Sequence, residues 1–519
     1  MKVTDRPQNS SNFFFHWVNK VLVQNMRKHQ EQLDRCAARP LQVQEQVLQQ
    51  LLERGKTTEY GKKHGLQSVD SAVSFRSRLP LITYAELKPY VDRQRQGEKN
   101  VLWPGHTQWY AKSSGTATGT SKFLPVTREA IEDCHFSGGR FELALLARIR
   151  PETRIFEGLA LRLGGSTTVE KGPHATSASG DLSAIMIKHL PLWAELRSAP
   201  RQSTAVMSDW EEKIEAIAEE AIGANITSLW GVSSWFLVLF HKVLEKTGAQ
   251  HLLEIWPNLE LFAHGGVNFA PYEAQFSALM PGDQVLFLEN YNASEGFFAV
   301  QDRPGEEGLL LLLDNGIYYE FIPMSRYRGT ESEAVGLEQV ELGVEYALVI
   351  STNAGLWRYL IGDTVRFVSL EPPRIVVSGR TAHFINAFGE ELIVSDAENA
   401  LARACALHQC GISDFHAAPL FIERGQKGRH QWLVEFEQRP ANLAAFQADL
   451  DRELRRENSD YDAKRTGNLV LTELEVLEAP AGLFHQWLNN KGKLGGQNKI
   501  PRLKNDRVLL EEFLALRPE

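Results

Sequence analysis

Ten residues, Ser113-Ser114-Gly115-Thr116-Ala117-Thr118-Gly119-Thr120-Ser121-Lys122, hold six hydroxyl side chains, two glycines and one lysine. Such a stretch cannot supply core. It can offer an anion backbone N–H groups, hydroxyl donors and a cation, with glycine allowing close approach. It reads as a phosphate-cradling loop. It is not a P-loop, because Thr120 follows Gly119 and no Gly-Lys-Ser/Thr ends the run. The chain has no Gly-x-Gly, hence no dinucleotide fingerprint, and no His-Glu-x-x-His zinc motif. Two further stretches could do chemistry. In Tyr291-Asn292-Ala293-Ser294-Glu295-Gly296 a carboxylate beside a hydroxyl could ligate Mg²⁺ and meet a phosphate oxygen, and the aromatic could stack on a base. In Trp357-Arg358-Tyr359-Leu360-Ile361-Gly362-Asp363-Thr364 an aspartate at a turn could accept both hydroxyls of a ribose. Each alone has a plainer reading: a surface turn, a polar strand end, a β-turn aspartate.

The elements around these stretches decide whether they can meet. Residues 12–54 are helical in period, and Leu79 to Tyr84 reads as an extended entry to a short helix around Ala85-Glu86-Leu87. Gln108 to Ala111 and Phe123 to Val126 read as strands flanking the hydroxyl-rich loop, with a helix from Glu129 to about Ala147 whose middle Gly138-Gly139 weakens. Strands at Ile226–Leu229, Leu259–Phe262 and Val285–Leu288 alternate with helices after the capping-box signature Ser208–Glu211, at Trp235–Lys246 and at Tyr272–Leu279. That alternation implies a mainly parallel sheet flanked by helices, with ligands beyond the carboxyl ends of its strands. From residue 309 the period changes. Leu309–Leu313, the turn Asp314-Asn315-Gly316 and Ile317–Phe321 read as strand–turn–strand. Tyr346–Ser351, Trp357–Leu360, Val365–Val368 and Arg374–Val377 read as further short strands in an antiparallel or barrel-like addition. The remainder is α+β: a capping box at Ser395–Glu398 opening a helix, a strand at Trp432–Phe436, a helix from Ala441 to about Glu457, and a strand at Leu469–Val476.

At 519 residues the chain exceeds one ordinary domain. Its 43% hydrophobic and 23% charged content is that of a globular protein. A net charge of −9 argues against nucleic acid as the main partner. Cys36, Cys134, Cys405 and Cys410 form no dense pattern and read as free thiols of a reducing compartment. Phe13-Phe14-Phe15 is too short an apolar run for a membrane span or signal peptide, so the expected location is cytoplasmic.

In this order on an α/β framework, the three stretches resemble the adenylate-forming superfamily. More closely, they resemble the auxin-responsive family of acyl-acid amido synthetases known from plants, which has bacterial relatives. The likeness extends to Thr57-Thr58-Glu59-Tyr60-Gly61, Leu79-Pro80-Leu81 and Tyr84, and covers nearly the whole chain. The resemblance implies a large α/β N-terminal domain with mixed sheets and a β-barrel-like part, residues 1–380. A small, mobile α+β C-terminal domain, 381–519, would rotate between two half-reactions. It implies an ATP- and Mg²⁺-dependent ligase that converts a carboxylic acid to an acyl-adenylate and pyrophosphate, then passes the acyl group to an amine, often an amino acid. An acyl-CoA or carrier-protein thioester ligase shares the first step and is the alternative. On this resemblance Ser113, Ser114, Thr116 and Lys122 would hold the phosphates. Gly265, Gly266 and Val267 would line the adenine, with Tyr291 stacking on it. Ser294 would bond the α-phosphate, Glu295 would ligate Mg²⁺, Asp363 would bind the ribose, and Arg380 would assist at the hinge. Within Gln497-Asn498-Lys499-Ile500-Pro501-Arg502, Lys499 is the lysine that would reach the adenylate. After Arg380, the run Thr381-Ala382-His383-Phe384-Ile385-Asn386-Ala387-Phe388-Gly389-Glu390-Glu391-Leu392 departs from the plant hinge pattern, which argues against the plant hormones as substrates. The acid's pocket is expected among residues 156–181 and 230–235.

Overall fold

The computed structural model describes residues 9–113, 122–164, 170–171, 177–205, 207, 210–267, 269, 272–381, 384–422, 427–468, 470–490 and 500–517. Its centre is an eleven-stranded sheet. On one side of strand Leu286–Ala293 the sheet is parallel, running through Leu261–Gly265, Ile226–Gly231, Leu159–Leu163 and Ser198–Ala199. On the other it is antiparallel, through Gly296–Val300, Leu309–Leu311, Pro373–Arg380, Tyr359–Leu370, Glu345–Thr352 and Ile317–Pro323. Strand Leu286–Ala293, which bears the second motif, is therefore the junction where the topology changes. Parallel strands are covered by helices on both faces, so they read as unbroken apolar runs. Residues 226–229 are all buried, as this requires. Helices Trp210–Ile222 and Ser233–Thr247 cover that half, burying Ile217, Ala218, Phe236 and Phe240.

A four-stranded sheet built on the hairpin Trp109–Ser113 and Lys122–Val126 stands beside it. A helical segment follows, opening with a π-type turn at Ala130–His135 and continuing as Phe136–Ile149. Gly138 serves packing there: a Cβ would lie 2.3 Å from the Phe297 ring, so its absence lets the helix close on the sheet. After Arg380 come the short strands Phe384–Ile385 and Leu392–Ile393 and the sheet Gly411–Leu420, Arg429–Gln438 and Glu475–Ala479. Helices Val394–His408 and Leu443–Glu457 pack together beside this sheet, in an α+β arrangement. The four cysteines form no disulfide. No helix among the described residues is long and apolar enough to cross a membrane.

Several local expectations are corrected. Leu309–Leu311 and Ile317–Pro323 are not a hairpin, since each pairs with other strands. The turn between them bonds outward: Asn315 donates to the Phe297 carbonyl, and Gln44 donates to the carbonyls of Leu313 at 3.0 Å and Ile317 at 2.9 Å. Tyr359-Leu360 and Val365–Val368 belong to one element, the strand Tyr359–Leu370, and Trp357 and Arg358 precede it. The helix at Val394 has Ile393 at its N-cap, a residue with no side-chain acceptor, so the expected capping box does not open it; inside its first turn Asp396 accepts from Asn458 at 2.9 Å. The strand expected at 469–476 begins at Glu475; before it, Leu471 and Thr472 donate to the carbonyls of Lys464 and Gly428. The short helix at Ala85 runs from Tyr84 to Arg95. Ser208 and Asp209 of the first capping box lie outside the described residues.

Candidate active site

The hydroxyl-rich loop hangs from a hairpin whose register sets Ser113 opposite Lys122. The hairpin is fixed from below by the helix Tyr84–Arg95. Thr83 and Glu86 form its capping box, Phe123 N donates to Tyr84 Oη at 2.7 Å, and the Arg95 guanidinium lies 3.5 Å from the Phe123 ring centroid. Lys122 thereby enters a cleft of about 1660 Å³. Ser294 and Glu295 are the two-residue tip between strands Leu286–Ala293 and Gly296–Val300, and both line the same cleft.

Gly265 and Gly266 end the neighbouring parallel strand. In register Gly265 faces Asn290, and a Cβ there would lie 2.3 Å from Asn290 Oδ1 and 2.4 Å from its carbonyl oxygen. Only glycine permits that contact, and it leaves the wall flat beside Val267. Asn290 is itself fixed: its Nδ2 donates to Glu142 at 2.8 Å, and its Oδ1 accepts from Asn292 at 2.7 Å.

On the opposite side, strands Tyr359–Leu370 and Pro373–Arg380 set Asp363 in register with Arg380. Arg380 Nε stands 2.9 Å from Asp363 Oδ1, and Tyr291 Oη donates to Asp363 Oδ2 at 2.6 Å. Arg380 also lies 3.5 Å from Glu391. The Tyr291 ring, read above as a stacking platform, is tilted against Phe298 at 4.7 Å between centroids, with its hydroxyl committed to Asp363.

Of the residues expected at the site, Lys122, Gly265, Gly266, Val267, Tyr291, Ser294, Glu295, Asp363 and Arg380 come together around this cleft. The side chain of Ser113 and all of Ser114, Thr116 and Lys499 lie outside the described residues. Residues 503–506, four to seven positions after Lys499, line the cleft. The chain there is pinned to strand Gly411–Leu420, where Ala417 N donates to the Arg502 carbonyl at 2.8 Å. Trp357 and Arg358 face away. Arg358 is buried, pairs with both Glu320 oxygens at 3.0 Å, and donates to the carbonyls of Arg76 and Leu79. That half of the third motif builds scaffold, and Gly362-Asp363 reaches the cleft.

The electrostatics follow from crowded carboxylates. Burial pushes Glu295 up to about 7; Lys122 opposes the shift, and Asp363 and Glu391 add to it. Burial works against the charge on Arg380, but Asp363 and Glu391 hold it above its ordinary value. Glu142 is pushed up to about 8 by burial, with the Asn290 bond opposing.

Segments beyond residue 381 close the mouth. Asn386 Nδ2 donates to the Gly266 carbonyl at 3.4 Å, and Trp235 Nε1 donates to the Phe388 carbonyl at 3.2 Å. Lys464 Nζ lies 4.2 Å from the Trp235 ring centroid. Residues 156–181 and 230–235, expected to hold the acid, contribute Arg162, Leu163, Gly164, Asp181 and Trp230 to the cleft. Asn290, Glu142, Glu391 and Arg162 are further residues of the cleft that the motifs did not include. For Arg162 and Glu142 the available signal was a charged side chain inside an otherwise apolar strand or helix; Asn290, in a polar strand end, and Glu391, in a loop, carried none.

This fold is shared with adenylate-forming enzymes. Among solved structures the chain resembles an acyl acid amido synthetase, AtGH3.15 in complex with 2,4-DB, at TM-score 0.61 and 19% identity, covering 95% of this chain and 96% of that one. It also resembles a 2-hydroxyisobutyryl-CoA ligase at TM-score 0.52 and 12% identity, covering 90% and 91%. The chain is 21% identical to an indole-3-acetic acid-amido synthetase of Arabidopsis thaliana, GH3.3, over 90% of both chains. It is 26% identical to a jasmonoyl–L-amino acid synthetase of Nicotiana attenuata, JAR4, over 62% of this chain and 66% of that protein. The N-terminal, central and C-terminal domains of the GH3 family match residues 29–285, 310–380 and 395–508, and the chain belongs to that family.

Proposed function

We propose that this protein adenylates a carboxylic acid with ATP and transfers the acyl group to an amine, most simply that of an amino acid. The observation that carries this reading is the convergence of Lys122, Glu295, Asp363 and Arg380 on one cleft at the sheet's topological junction. In the first half-reaction a carboxylate oxygen attacks the α-phosphorus, a new P–O bond forms, and the bond to the β-phosphate breaks to release pyrophosphate. In the second the amine nitrogen attacks the acyl carbon, the C–O bond to AMP breaks, and the amine loses a proton. Positioning and charge neutralisation lower both barriers.

The residues take these parts. Ser113, Ser114, Thr116 and Lys122 hold phosphates; Gly265, Gly266 and Val267 offer adenine a flat wall. Tyr291 and Arg380 hold the Asp363 carboxylate, which retains lone pairs for the ribose hydroxyls. Ser294 bonds the α-phosphate. Lys499 serves the adenylate when the segment 381–519 rotates as a domain against 1–380.

No group of three or more His, Cys, Asp or Glu among the described residues could hold a metal by itself. A lone carboxylate such as Glu295, with phosphate oxygens and water completing the shell, suits Mg²⁺, which keeps part of its hydration in nucleotide sites. When bound, Mg²⁺ supplies charge neutralisation to the departing pyrophosphate. The protein is assigned to the cytoplasm.

The test is an acid screen by ATP–pyrophosphate exchange, followed by mass spectrometry of products formed with each amino acid and with CoA. Amide products establish the reading. Thioester products replace it with the ligase alternative, and no exchange with any acid removes both.

A further inference from the structure

Strand Leu159–Leu163 carries one charged residue, Arg162, in an otherwise aliphatic run. Its register fixes where it points. Arg162 lies beside Trp230, Trp230 beside Ala263, and all three line the cleft. The guanidinium donates to Ser198 Oγ and lies 5.9 Å from the Trp230 ring centroid. Ser198 Oγ in turn donates to the Ala194 carbonyl at 2.7 Å, which fixes that partner. No carboxylate among the described residues pairs with Arg162, and burial alone pulls it down to about 10. Phe136, Leu143, Met186, Leu190 and Trp193 supply an apolar lining to the same cleft.

A guanidinium presents five N–H donors, and Ser198 takes one of them. A half-buried cation that lines a cleft and meets no carboxylate among the described residues favours a ligand that supplies the anion. That anion is not the carboxylate that reacts. The strand of Arg162 stands three strands from Leu286–Ala293, whose continuation bears Ser294. At the spacing of neighbouring strands this is roughly 14 Å. Arg162 therefore faces the far end of whatever lies over Trp230.

We propose that the acid adenylated here carries a second anionic group, a carboxylate or sulfonate remote from its reacting carboxyl, and that Arg162 is the specificity residue that receives it. The proposal rests on the adenylation reading above. It makes the substrate a dianion with an apolar body, held on Trp230 and clamped at its far end by a forked, charge-assisted pair.

The test compares ATP–pyrophosphate exchange, with Mg²⁺ and without any amine, for dicarboxylic acids and for the mono-amide of each. Aliphatic chains of graded length and benzene-based bodies are both included. The wild type should prefer diacid to mono-amide by roughly 10- to 100-fold in kcat/KM, the scale of a charged hydrogen-bond pair. Arg162→Leu should abolish that preference while mono-amides still turn over, and Arg162→Lys should keep part of it. Arg162→Gln replaces the leucine variant if circular dichroism shows that variant unfolded. Equal turnover of diacids and mono-amides by the wild type overturns the proposal, as does a preference that survives Arg162→Leu. A charge preference seen only in the amine-dependent step, and not in exchange, gives Arg162 to the acceptor's carboxylate and overturns it too. Exchange with no acid at all is a different failure, which removes the adenylation reading itself.

Discussion

Asp363 and Arg380 face each other across two antiparallel strands, with Arg380 Nε 2.9 Å from Asp363 Oδ1, while Tyr291 holds the other carboxylate oxygen at 2.6 Å. The carboxylate is thus oriented before any ligand arrives, which limits what binding must order. Asp363→Asn keeps the shape and removes the charge. We expect KM for ATP to rise roughly 10- to 100-fold, the scale of a charged hydrogen bond, with the fold retained. Steady-state kinetics over ATP concentration checks this, and an unchanged KM removes Asp363 from the nucleotide site.

Gly265 tests the opposite wall. Gly265→Ala places a Cβ against the backbone oxygen of Asn290, where nothing flexible can yield. The strands must part locally, at a cost of about 1–3 kcal/mol in stability, with weaker ATP binding. Urea unfolding and nucleotide titration measure the two effects, and a variant matching the wild type in both contradicts the close approach.

Arg358 and Glu320 are both buried and paired at 3.0 Å. Arg358→Ala strands the Glu320 carboxylate and frees two backbone carbonyls, so stability should fall by about 3–5 kcal/mol. Loss of activity should track loss of fold. A stable but inactive Arg358→Ala would place this arginine in the chemistry.

Glu142 makes stability depend on pH. Its folded pKa, about 8, lies above the unfolded value near 4.5, so the folded state binds the extra proton between them. Stability from this group is fully present below about pH 4.5 and is lost as pH rises toward about 8, at up to about 1.4 kcal/mol per pH unit. Glu142→Gln accepts the same Asn290 bond without ionising. The variant should match the wild type in Tm near pH 5 and exceed it near pH 8.5. Equal Tm values at both pH values contradict the buried, neutral carboxyl.

A turn of small polar residues that no core position tolerates is legible in sequence, and Ser294-Glu295 at the cleft is such a turn. The site was less readable where one motif has two duties: nothing in Trp357 to Asp363 announces that Arg358 faces Glu320 and Asp363 faces the cleft. Arg162 and Glu142 were missed because a single charge in an apolar element has meaning only once its neighbours are known. The pairing of Leu309–Leu311 was hidden for a related reason. A local turn signal competed with Gln44, more than 250 residues away, which holds both ends of that turn. In the parallel half, the strands around Ile226–Leu229, Leu259–Phe262 and Val285–Leu288 were legible from local alternation of strand and helix, whereas Leu159–Leu163 and Ser198–Ala199, short and set among small polar residues, were not read as strands.

Adenylation at this cleft is tested most directly through Glu295. With Mg²⁺, ATP and an accepted carboxylic acid, the wild type should exchange labelled pyrophosphate into ATP, and exchange should vanish when the acid is left out. Glu295→Ala, folded by circular dichroism, should lose at least about 100-fold of that exchange, the scale of removing one preorganised electrostatic contact from the transition state. Undiminished, acid-dependent exchange in Glu295→Ala would contradict this assignment of the site, and exchange by the wild type that ignores the acid would contradict the chemistry itself.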